Sequence, residues 1–337
     1  MRKAAAAAVA VAGLTMPSVA LAADYFAGKT ITVEVPAGSG GSYHVYCQIV
    51  QNNLGKYIPG NPSLIVKNVP GAGGVVSAAN MANIAPKDGT HIAMMAPGTI
   101  TIPLMRKMKF DASKFNYLGS LAARSSAIWV WHTKGVKNLD DLKTKQVKLA
   151  SSAYTSAASV IPRLVNKVFG TKIDIVYGYK GGGAMNIAIE RGEVDGRWNY
   201  RNGFVAVRPQ WIKEGKIVPV IAMGPRDPDM KGVPFMRDLL KEGSPEQKLH
   251  DVFDMNFQVG QAFYAPQGVK PEIVAILRAG FAKMIADPAT KAMMEKRGVE
   301  FSPKSASEVE AAIRKGLAAA SPDVVETLKS VFLKSKT

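Results

Sequence analysis

The chain has 337 residues, of which 47% are hydrophobic and 20% charged, and its 43 Lys and Arg against 26 Asp and Glu give a formal net charge of +17. This composition is too apolar for a disordered protein, and the length suits two domains of ordinary size. A single cysteine, Cys47, excludes an intramolecular disulfide and any multi-thiolate zinc or iron–sulfur site. We therefore predict neither a metal nor a cofactor.

The N-terminus has the pattern of a secretory signal peptide. Arg2 and Lys3 precede an apolar run over residues 4–16, and Ala20-Leu21-Ala22 follows. A basic start, a short apolar core and an A-x-A site predict a cleaved signal peptide over residues 1–22 and export to a periplasm. No later segment reaches the roughly 18 apolar residues that a membrane-spanning helix needs.

Predicted strands and helices alternate along the rest of the chain. A first set comprises strands 31–35, 64–67 and 91–95 and helices 43–54 and 75–83. A second set comprises strands 128–132, 147–150, 173–177, 194–198 and 217–223 and helices 157–168 and 183–191. A returning strand at 257–265 and helices beginning near residues 272, 288, 306 and 322 complete the chain. This alternation predicts βαβ units and parallel sheets.

No linker rich in Pro or Ser separates the two sets of elements. We therefore expect two α/β lobes joined by crossing strands. The predicted boundaries are 23–126 together with 258–337 for the first lobe, and 127–257 for the second lobe.

Several glycine-rich or serine-rich loops follow a predicted strand and precede a helix: Ser39–Tyr43, Gly98-Thr99, Ser151–Ser156 and Tyr179–Gly183. The first N–H groups of a helix have no helical partner, and with the helix dipole they form an anion site. In open α/β sheets, ligands bind beyond the carboxyl ends of the strands, where these loops map. Each loop taken alone is equally compatible with a tight structural turn.

The charge distribution also points to an anionic ligand. Residues 35–138 contain ten Lys and Arg against two acids, Asp88 and Asp111. A positive field of this size attracts anions, although surface charge for solubility is an alternative explanation. Arg197, near the end of a predicted strand, offers a planar fork to a carboxylate, or alternatively a surface ion pair to Asp195 or Glu193. Without Lys/Arg runs or basic–aromatic stripes, nucleic acid is not an expected partner.

Motifs of nucleotide binding and of catalysis are missing from the sequence. Gly38–Gly41 does not extend into G-x-G-x-x-G, since residue 43 is Tyr, and there is no G-x-x-x-x-G-K-[ST], G-x-S-x-G or H-E-x-x-H. His44 and Cys47 are three residues apart and could share a helix face, as packing residues or as a nucleophile pair. We predict a binding protein rather than an enzyme, with an exported hydrolase-like enzyme using His44 or a loop serine as the alternative.

An ordered set of motifs resembles the Bug family, the TctC-type periplasmic solute receptors of tripartite tricarboxylate transporters. The segment VPAGSGGSYH at 35–44 resembles the family's P-x-x-P-G-G-x-x-D loop, with His44 where many members carry Asp. Further segments resemble its other motifs: NVPGAGG at 68–74, PKDGT at 86–90, GYKGGG at 178–183, RGEVDGR at 191–197 and APQGVKP at 265–271. The matches run in order over nearly the whole mature chain.

The resemblance implies a two-lobed α/β periplasmic binding protein of type II-like, Venus flytrap form, with its ligand in the interdomain cleft. It implies ligand contacts at Ser39, Gly40, Gly41, Ser42, Tyr43, His44, Gly98, Thr99, Ser151, Ser152, Tyr154, Thr155, Ser156, Arg197 and Asn199. The implied partners are a small organic acid, such as a di- or tricarboxylate or an aromatic acid, and membrane transporter subunits. We expect a monomer. A sensor that presents its closed lobes to a membrane signalling partner is the remaining alternative.

Overall fold

The computed structural model describes residues 25–96, 98–318 and 320–332, so the predicted signal peptide lies outside the described residues. The first sheet contains β1 Thr30–Val35, β2 Ser63–Asn68, β3 His91–Met94, β4 Asn116–Ser120, β10 Ala262–Ala265 and β11 Lys304–Ser305. Its strand order is β11-β4-β10-β3-β1-β2. β1 is parallel to both β2 and β3, whereas β10 is antiparallel to β3 and β4.

The second sheet contains β5 Ser126–Trp131, β6 Val147–Ala150, β7 Ile173–Val176, β8 Gly196–Tyr200 and β9 Ile217–Met223. Its strand order is β7-β6-β8-β5-β9. β6 is parallel to β7 and β8, and β5 is antiparallel to β8 and β9. Both sheets are therefore mixed, with parallel strands around a crossing strand of opposite direction.

Helices connect and cover the strands. In chain order they are α1 Ser42–Asn53, α2 Val75–Asn83, α3 Gly98–Met105, α4 Leu139–Thr144, α5 Ala157–Phe169, α6 Gly182–Glu190, α7 Asn202–Val205, α8 Pro209–Lys213, α9 Pro245–Val259, α10 Pro271–Ala286, α11 Pro288–Lys296, α12 Ala306–Ala318 and α13 Pro322–Phe332. Proline at the first helical position begins several of them, because its fixed φ suits the helix and its missing N–H would be unpaired there. In none of the described helices are length and apolarity together sufficient to cross a bilayer.

Each sheet has its own apolar core, and α9 packs into both. Val33, Met94 and Phe263 are buried with α10 against the first sheet. Along α9, Phe253 and Phe257 join the core of the second sheet, whereas Met255 and Val259 join a cluster on the first. The last helix, α13, contacts both α3 and α5, so it also reaches the second sheet.

The predicted α/β fold class is confirmed, and most predicted elements agree with the structure to within two residues. The expectation of purely parallel sheets is wrong, because β5 and β10 each enter a sheet directly from a crossing segment and run opposite to their neighbours. The predicted strand at 257–265 is also wrong at its start. Phe257 belongs to α9, and the strand begins only at Ala262. The N-terminus of α9 is capped by Ser244, whose hydroxyl accepts the Gln247 N–H at 3.2 Å.

Candidate functional site: a cleft between the two sheets

A pocket of about 380 Å³ lies between loops of the two sheets. That volume falls at the lower end of the range usual for small-molecule sites. The first lobe contributes the loops after β1, β2 and β3, and the second lobe contributes the loops after β6 and β7 and the strand β8. The lining consists of Pro36, Ala37, Gly41, Ser42, Tyr43, Pro70, Gly71, Ala72, Gly73, Ala96, Ser152, Ser156, Ala157, Ala158, Gly178, Tyr179, Lys180, Gly181, Gly182, Met185, Arg197, Trp198, Asn199 and Tyr200.

Three helices begin at the pocket wall. Their N-caps are Gly41 for α1, Ser156 for α5 and Gly181 for α6, and each cap lines the cavity. The first amides of a helix have no carbonyl partner in the preceding turn, and the positive end of the dipole lies there. Helices from both lobes therefore direct positive potential toward one cavity, which favours an anion in it.

The loops of the two lobes touch each other beside the pocket. The Gly38 amide donates a hydrogen bond to the Lys180 carbonyl at 2.8 Å. Gly183 lies so close to the first lobe that a Cβ there would be 2.8 Å from the Ser39 carbonyl oxygen. Only glycine permits this approach without a shift of the backbone, so the two lobes are in contact on this side of the cleft.

Arg197 is buried in the wall of the pocket without a carboxylate partner. Its side chain donates to the Gly182 carbonyl at 2.9 Å, to Asn186 Oδ1 at 3.2 Å and to Asn199 Oδ1 at 2.7 Å. Within the part of the chain that the structure describes, no carboxylate lies within 4 Å of the guanidinium. Burial lowers the pKa of Arg197 to about 10, with the nearby Tyr43 phenol acting in the opposite direction, so the side chain is charged at neutral pH.

The two acids proposed as alternative partners of Arg197 are engaged elsewhere. Asp195 forms an ion pair with Lys134 at 3.1 Å and accepts the Lys148 N–H at 2.7 Å. Glu193 lies 3.8 Å from Arg191. Arg197 is therefore not the surface ion pair that the sequence left open, and its charge is available to a molecule in the cleft.

Asn186 and Asn199, which accept from Arg197, and the adjacent Trp198 each carry a buried side-chain donor. Trp198 Nε1, Asn199 Nδ2 and Asn186 Nδ2 are buried and have no acceptor among the described residues. Arg197 fixes the orientation of the Asn199 amide, because Asn199 Oδ1 accepts the guanidinium N–H, and this leaves Nδ2 as a donor without an acceptor among the described residues. Unpaired buried donors cost about 1–3 kcal/mol each, and two of these three residues, Trp198 and Asn199, line the pocket.

The remaining lining is mostly apolar or aromatic. Tyr43, Tyr179, Trp198 and Tyr200 line the cavity together with Met185. Trp198 and Tyr200 pack edge to face, with ring centroids 4.7 Å apart. Apolar walls favour the carbon skeleton of an organic ligand over a small inorganic anion.

The structure brings seven of the predicted site residues into the pocket lining: Gly41, Ser42, Tyr43, Ser152, Ser156, Arg197 and Asn199. Eight others lie outside that lining: Ser39, Gly40, His44, Gly98, Thr99, Ser151, Tyr154 and Thr155.

Several of these eight residues have structural partners. Ser151 is fully buried, with its hydroxyl 2.8 Å from the Ser156 hydroxyl. Thr99 is buried in the first turn of α3, and its amide donates to the Ala96 carbonyl at 3.0 Å. Tyr154 stacks on Arg163, whose guanidinium lies 3.6 Å from the ring centroid. These contacts shape the loops beside the pocket.

Sequence reasoning missed part of the lining. The stretch Pro70–Gly73 follows β2 and precedes α2, which is the same strand–glycine–helix arrangement as in the chosen loops, so that signal was present. Met185 is a helix residue that sequence alone does not distinguish from a core position. Arg124, between β4 and β5, has no motif at all, and only the fold places it beneath Tyr43 and Tyr200.

The environment of Cys47 disfavours a thiolate nucleophile. Its side chain is fully buried, and its sulfur lies 3.8 Å from Met94 Sδ. Burial raises the pKa of the Cys47 thiol well above its ordinary value, which lowers the thiolate fraction. His44 lies outside the pocket lining, so the proposed His44–Cys47 pair does not face the cleft.

Comparison with known proteins agrees with this geometry. Residues 47–326 match the family model TctC, described as the tripartite tricarboxylate transporter family receptor. A UPF0065 protein in the gbd 5′ region of Cupriavidus necator is 26% identical over 308 residues, covering 88% of this chain and 86% of the relative. A second UPF0065 protein, from the TAR-I ttuE–ttuC′ intergenic region of Agrobacterium vitis, is 29% identical over 196 residues, covering 56% of each chain.

Solved structures share the fold. The periplasmic binding protein BugD superposes with a TM-score of 0.72 at 19% identity, covering 90% of this chain and 98% of that one. MatC from Rhodopseudomonas palustris with bound malate gives 0.68 at 20% identity, covering 90% and 99% of the two chains. The two-lobed periplasmic binding protein fold is thus established, and the family match over most of the chain settles the lineage. The protein belongs to the tripartite tricarboxylate transporter receptor family.

Proposed function

We propose that this protein is a periplasmic receptor that closes its cleft around a small organic carboxylate and delivers it to the membrane subunits of a tripartite tricarboxylate-type transporter. The observation that carries the proposal is Arg197, a buried cation in the pocket wall with no carboxylate within 4 Å among the described residues. A buried charge is costly unless it is paired, so the site is built to receive an anion.

The other features of the pocket support a carboxylate in particular. The N-termini of α1, α5 and α6 supply amide donors, and the lining residues Trp198 and Asn199 carry side-chain donors that have no acceptor among the described residues. A carboxylate has two oxygens that accept several such bonds at once. The aromatic and aliphatic walls then surround the rest of an organic skeleton. Among the structural neighbours, one Rhodopseudomonas palustris protein was solved with adipate and another with malate.

We further propose that the lobes comprise residues 23–126 with 258–337, and residues 127–257, and that they move as units about the crossing segments. The strands of the first sheet come from the first of these sets, and those of the second sheet from the other. The contacts of α13 with both α3 and α5 mean that the last helix spans the two lobes. Hinge closure around a ligand takes place at a few connecting residues, and here these are the segments between β4 and β5 and between α9 and β10.

The proposal includes cleavage of residues 1–22, a monomeric state and no catalytic turnover. The last point rests on the site itself, since the pocket presents hydrogen-bond donors and the basic side chains of Arg197 and Lys180, and the candidate nucleophile Cys47 is buried with a raised thiol pKa. Binding without turnover is what delivery to a transporter requires.

The test is a thermal-shift screen of the mature protein with mono-, di- and tricarboxylates, aromatic acids and uncharged sugars, followed by calorimetry and mass spectrometry of each binder. We expect one-to-one binding of at least one carboxylate and its recovery unchanged. A ligand that binds the folded state alone stabilises it by about 2.7 kcal/mol at a hundred times its dissociation constant. Chemical conversion of the bound acid, or tight binding of sugars with carboxylates ignored, would overturn the proposal.

A further inference from the structure

A second buried arginine, Arg124, lies outside the loops that line the pocket. It belongs to the segment that crosses from β4 to β5, and the return crossing, between α9 and β10, runs beside it. The Arg124 amide donates to the Phe257 carbonyl at 3.2 Å, and the Gln261 amide donates to the Ala122 carbonyl at 2.7 Å. The two connections between the lobes are therefore bonded to each other at Arg124.

The Arg124 side chain contacts both lobes and is fully buried. One terminal nitrogen, Nη2, donates to the Met95 carbonyl at 3.0 Å, in the first lobe, and to Gln261 Oε1 at 3.1 Å in the return crossing. The other, Nη1, donates to Tyr200 Oη at 3.2 Å in the second lobe. These contacts alone make Arg124 a cross-link of the hinge.

The charge of Arg124 is not explained by that cross-link. None of the described carboxylates lies within 4 Å of its guanidinium, and its Nε has no acceptor among the described residues. A buried cation without a counter-charge costs several kcal/mol, and neutral acceptors repay that cost incompletely. The arrangement parallels that of Arg197, whose own charge faces the cleft.

Tyr43 and Tyr200 connect the charge of Arg124 to the pocket. The guanidinium lies 5.4 Å from the Tyr43 ring centroid and 4.8 Å from that of Tyr200, and both tyrosines line the cavity. The Tyr200 hydroxyl accepts a hydrogen bond from Arg124 and is itself hydrogen-bonded to Tyr43, so the charge of Arg124 reaches the Tyr43 hydroxyl through Tyr200. A cation bonded to a phenol oxygen polarises the O–H group and strengthens it as a donor.

We infer that Arg124 is a specificity-determining positioning residue, which acts through Tyr43 and Tyr200 as a positive centre of the cleft besides the lining residues Arg197 and Lys180. The preferred ligand then carries a second anionic group besides the carboxylate held at Arg197. Tyr43 comes from the first lobe and Tyr200 from the second, so a ligand group bound by both phenols also holds the lobes together. This inference deepens the proposed function and rests on it.

The experiment compares matched ligands that differ by one charge. Adipate and terephthalate are each paired with their monoamides, which keep the shape of the diacid and lose one carboxylate. Dissociation constants are measured by calorimetry at pH 7.5 for the natural chain, Arg124→Met, Arg124→Lys, Tyr43→Phe and Tyr200→Phe. For a pair that binds, we expect the natural chain to prefer the diacid by tenfold or more.

In Arg124→Met this preference should fall to within about threefold, and Arg124→Lys should restore part of it, because the lysine returns the charge without the planar fork. If Arg124→Met does not fold, Tyr43→Phe and Tyr200→Phe decide the question, since each keeps the ring and removes one donor. An unchanged diacid preference in both would overturn the inference.

If Arg124→Met weakens binding of the diacid and the monoamide equally, Arg124 is a hinge cross-link alone, and the inference is overturned. Equal affinities of the natural chain for the diacid and the monoamide would also overturn it. Both of these outcomes leave carboxylate binding intact. If none of the acids in the wider screen binds the natural chain, the proposed function itself fails, and the inference fails with it.

Discussion

Replacing Arg197 by methionine tests the binding chemistry most directly. The guanidinium has five N–H groups, and the structure assigns four hydrogen bonds to them, the weakest being Nε to the Trp198 carbonyl at 3.5 Å. One N–H on Nη2 therefore remains for the ligand, together with the full positive charge. Arg197→Met removes both and keeps most of the side-chain volume.

The expected magnitude follows from that geometry. A hydrogen bond to a charged group contributes roughly 1.5–3 kcal/mol, which corresponds to a loss of about one to two decades in affinity. The measurement is calorimetric titration of the natural chain and the variant with the tightest-binding carboxylate from the screen. Arg197→Lys should lie between the two, because it keeps the charge and loses the fork.

The same substitution also perturbs the protein without ligand, and this effect has to be separated. The Gly182 carbonyl and the Asn199 and Asn186 side-chain oxygens each lose a donor, so some loss of thermal stability is expected. Thermal midpoints of the ligand-free proteins measure that loss. The matched control is Arg191→Met, whose side chain is 70% exposed and pairs with Glu193 rather than with the pocket. A folded Arg197→Met protein that binds within about twofold of the natural chain would refute the reasoning.

Four further predictions follow from other parts of the molecule. Gly183→Val places side-chain atoms against the Ser39 carbonyl, so we expect about tenfold weaker binding and a larger radius of gyration in X-ray scattering. The control is Ile187→Ala, whose 43%-exposed side chain lies on the same helix and which should leave both quantities unchanged. Cys47 should resist thiol reagents at pH 8 in the native protein and react after denaturation; rapid native labelling would contradict its burial. Burial, with Asp227 nearby, raises the pKa of Glu300 from 4.5 to about 7, so its contribution to stability is lost as pH rises through that window. In thermal melts, Glu300→Gln should flatten this slope and gain stability relative to the natural chain at pH 8, and an unaltered slope would exclude Glu300 as its source. Expression of the full chain in a Gram-negative host should yield a periplasmic protein whose N-terminus is Ala23; an intact Met1 on membrane-bound protein would argue against export.

The sequence by itself determined the fold class and most element boundaries, and it predicts an anionic ligand. Alternating strand and helix patterns carry this information locally, because hydrophobic periodicity and Gly or Pro at the ends depend on neighbouring residues. The capping box from Ser305 to Glu308 is likewise a local S-x-x-E pattern, and the two residues cap each other, with the Ser305 amide 2.7 Å from the Glu308 carboxylate. The excess of basic side chains in residues 35–138 follows from a count of the sequence alone.

The direction of the crossing strands and the extent of α9 could not be predicted from the local sequence. Strand direction depends on which sheet a segment joins, and a residue such as Phe257 is apolar enough for either a strand or a buried helix. Both are consequences of long-range pairing.

Tertiary structure alone decided which polar residues face the cleft. Among the serines of the 151–156 loop, Ser152 and Ser156 line the pocket, whereas the Ser151 hydroxyl is bonded inside the loop. Arg197 and Asp195 are two residues apart; in the folded chain Asp195 pairs with Lys134, and Arg197 has no counter-charge among the described residues. Arg124 lies 73 residues from Arg197 in a segment without a motif, and the folded chain places both beside Tyr43. Whether a buried charge is paired depends on which segments meet in space, and that is set by the packing of the two lobes.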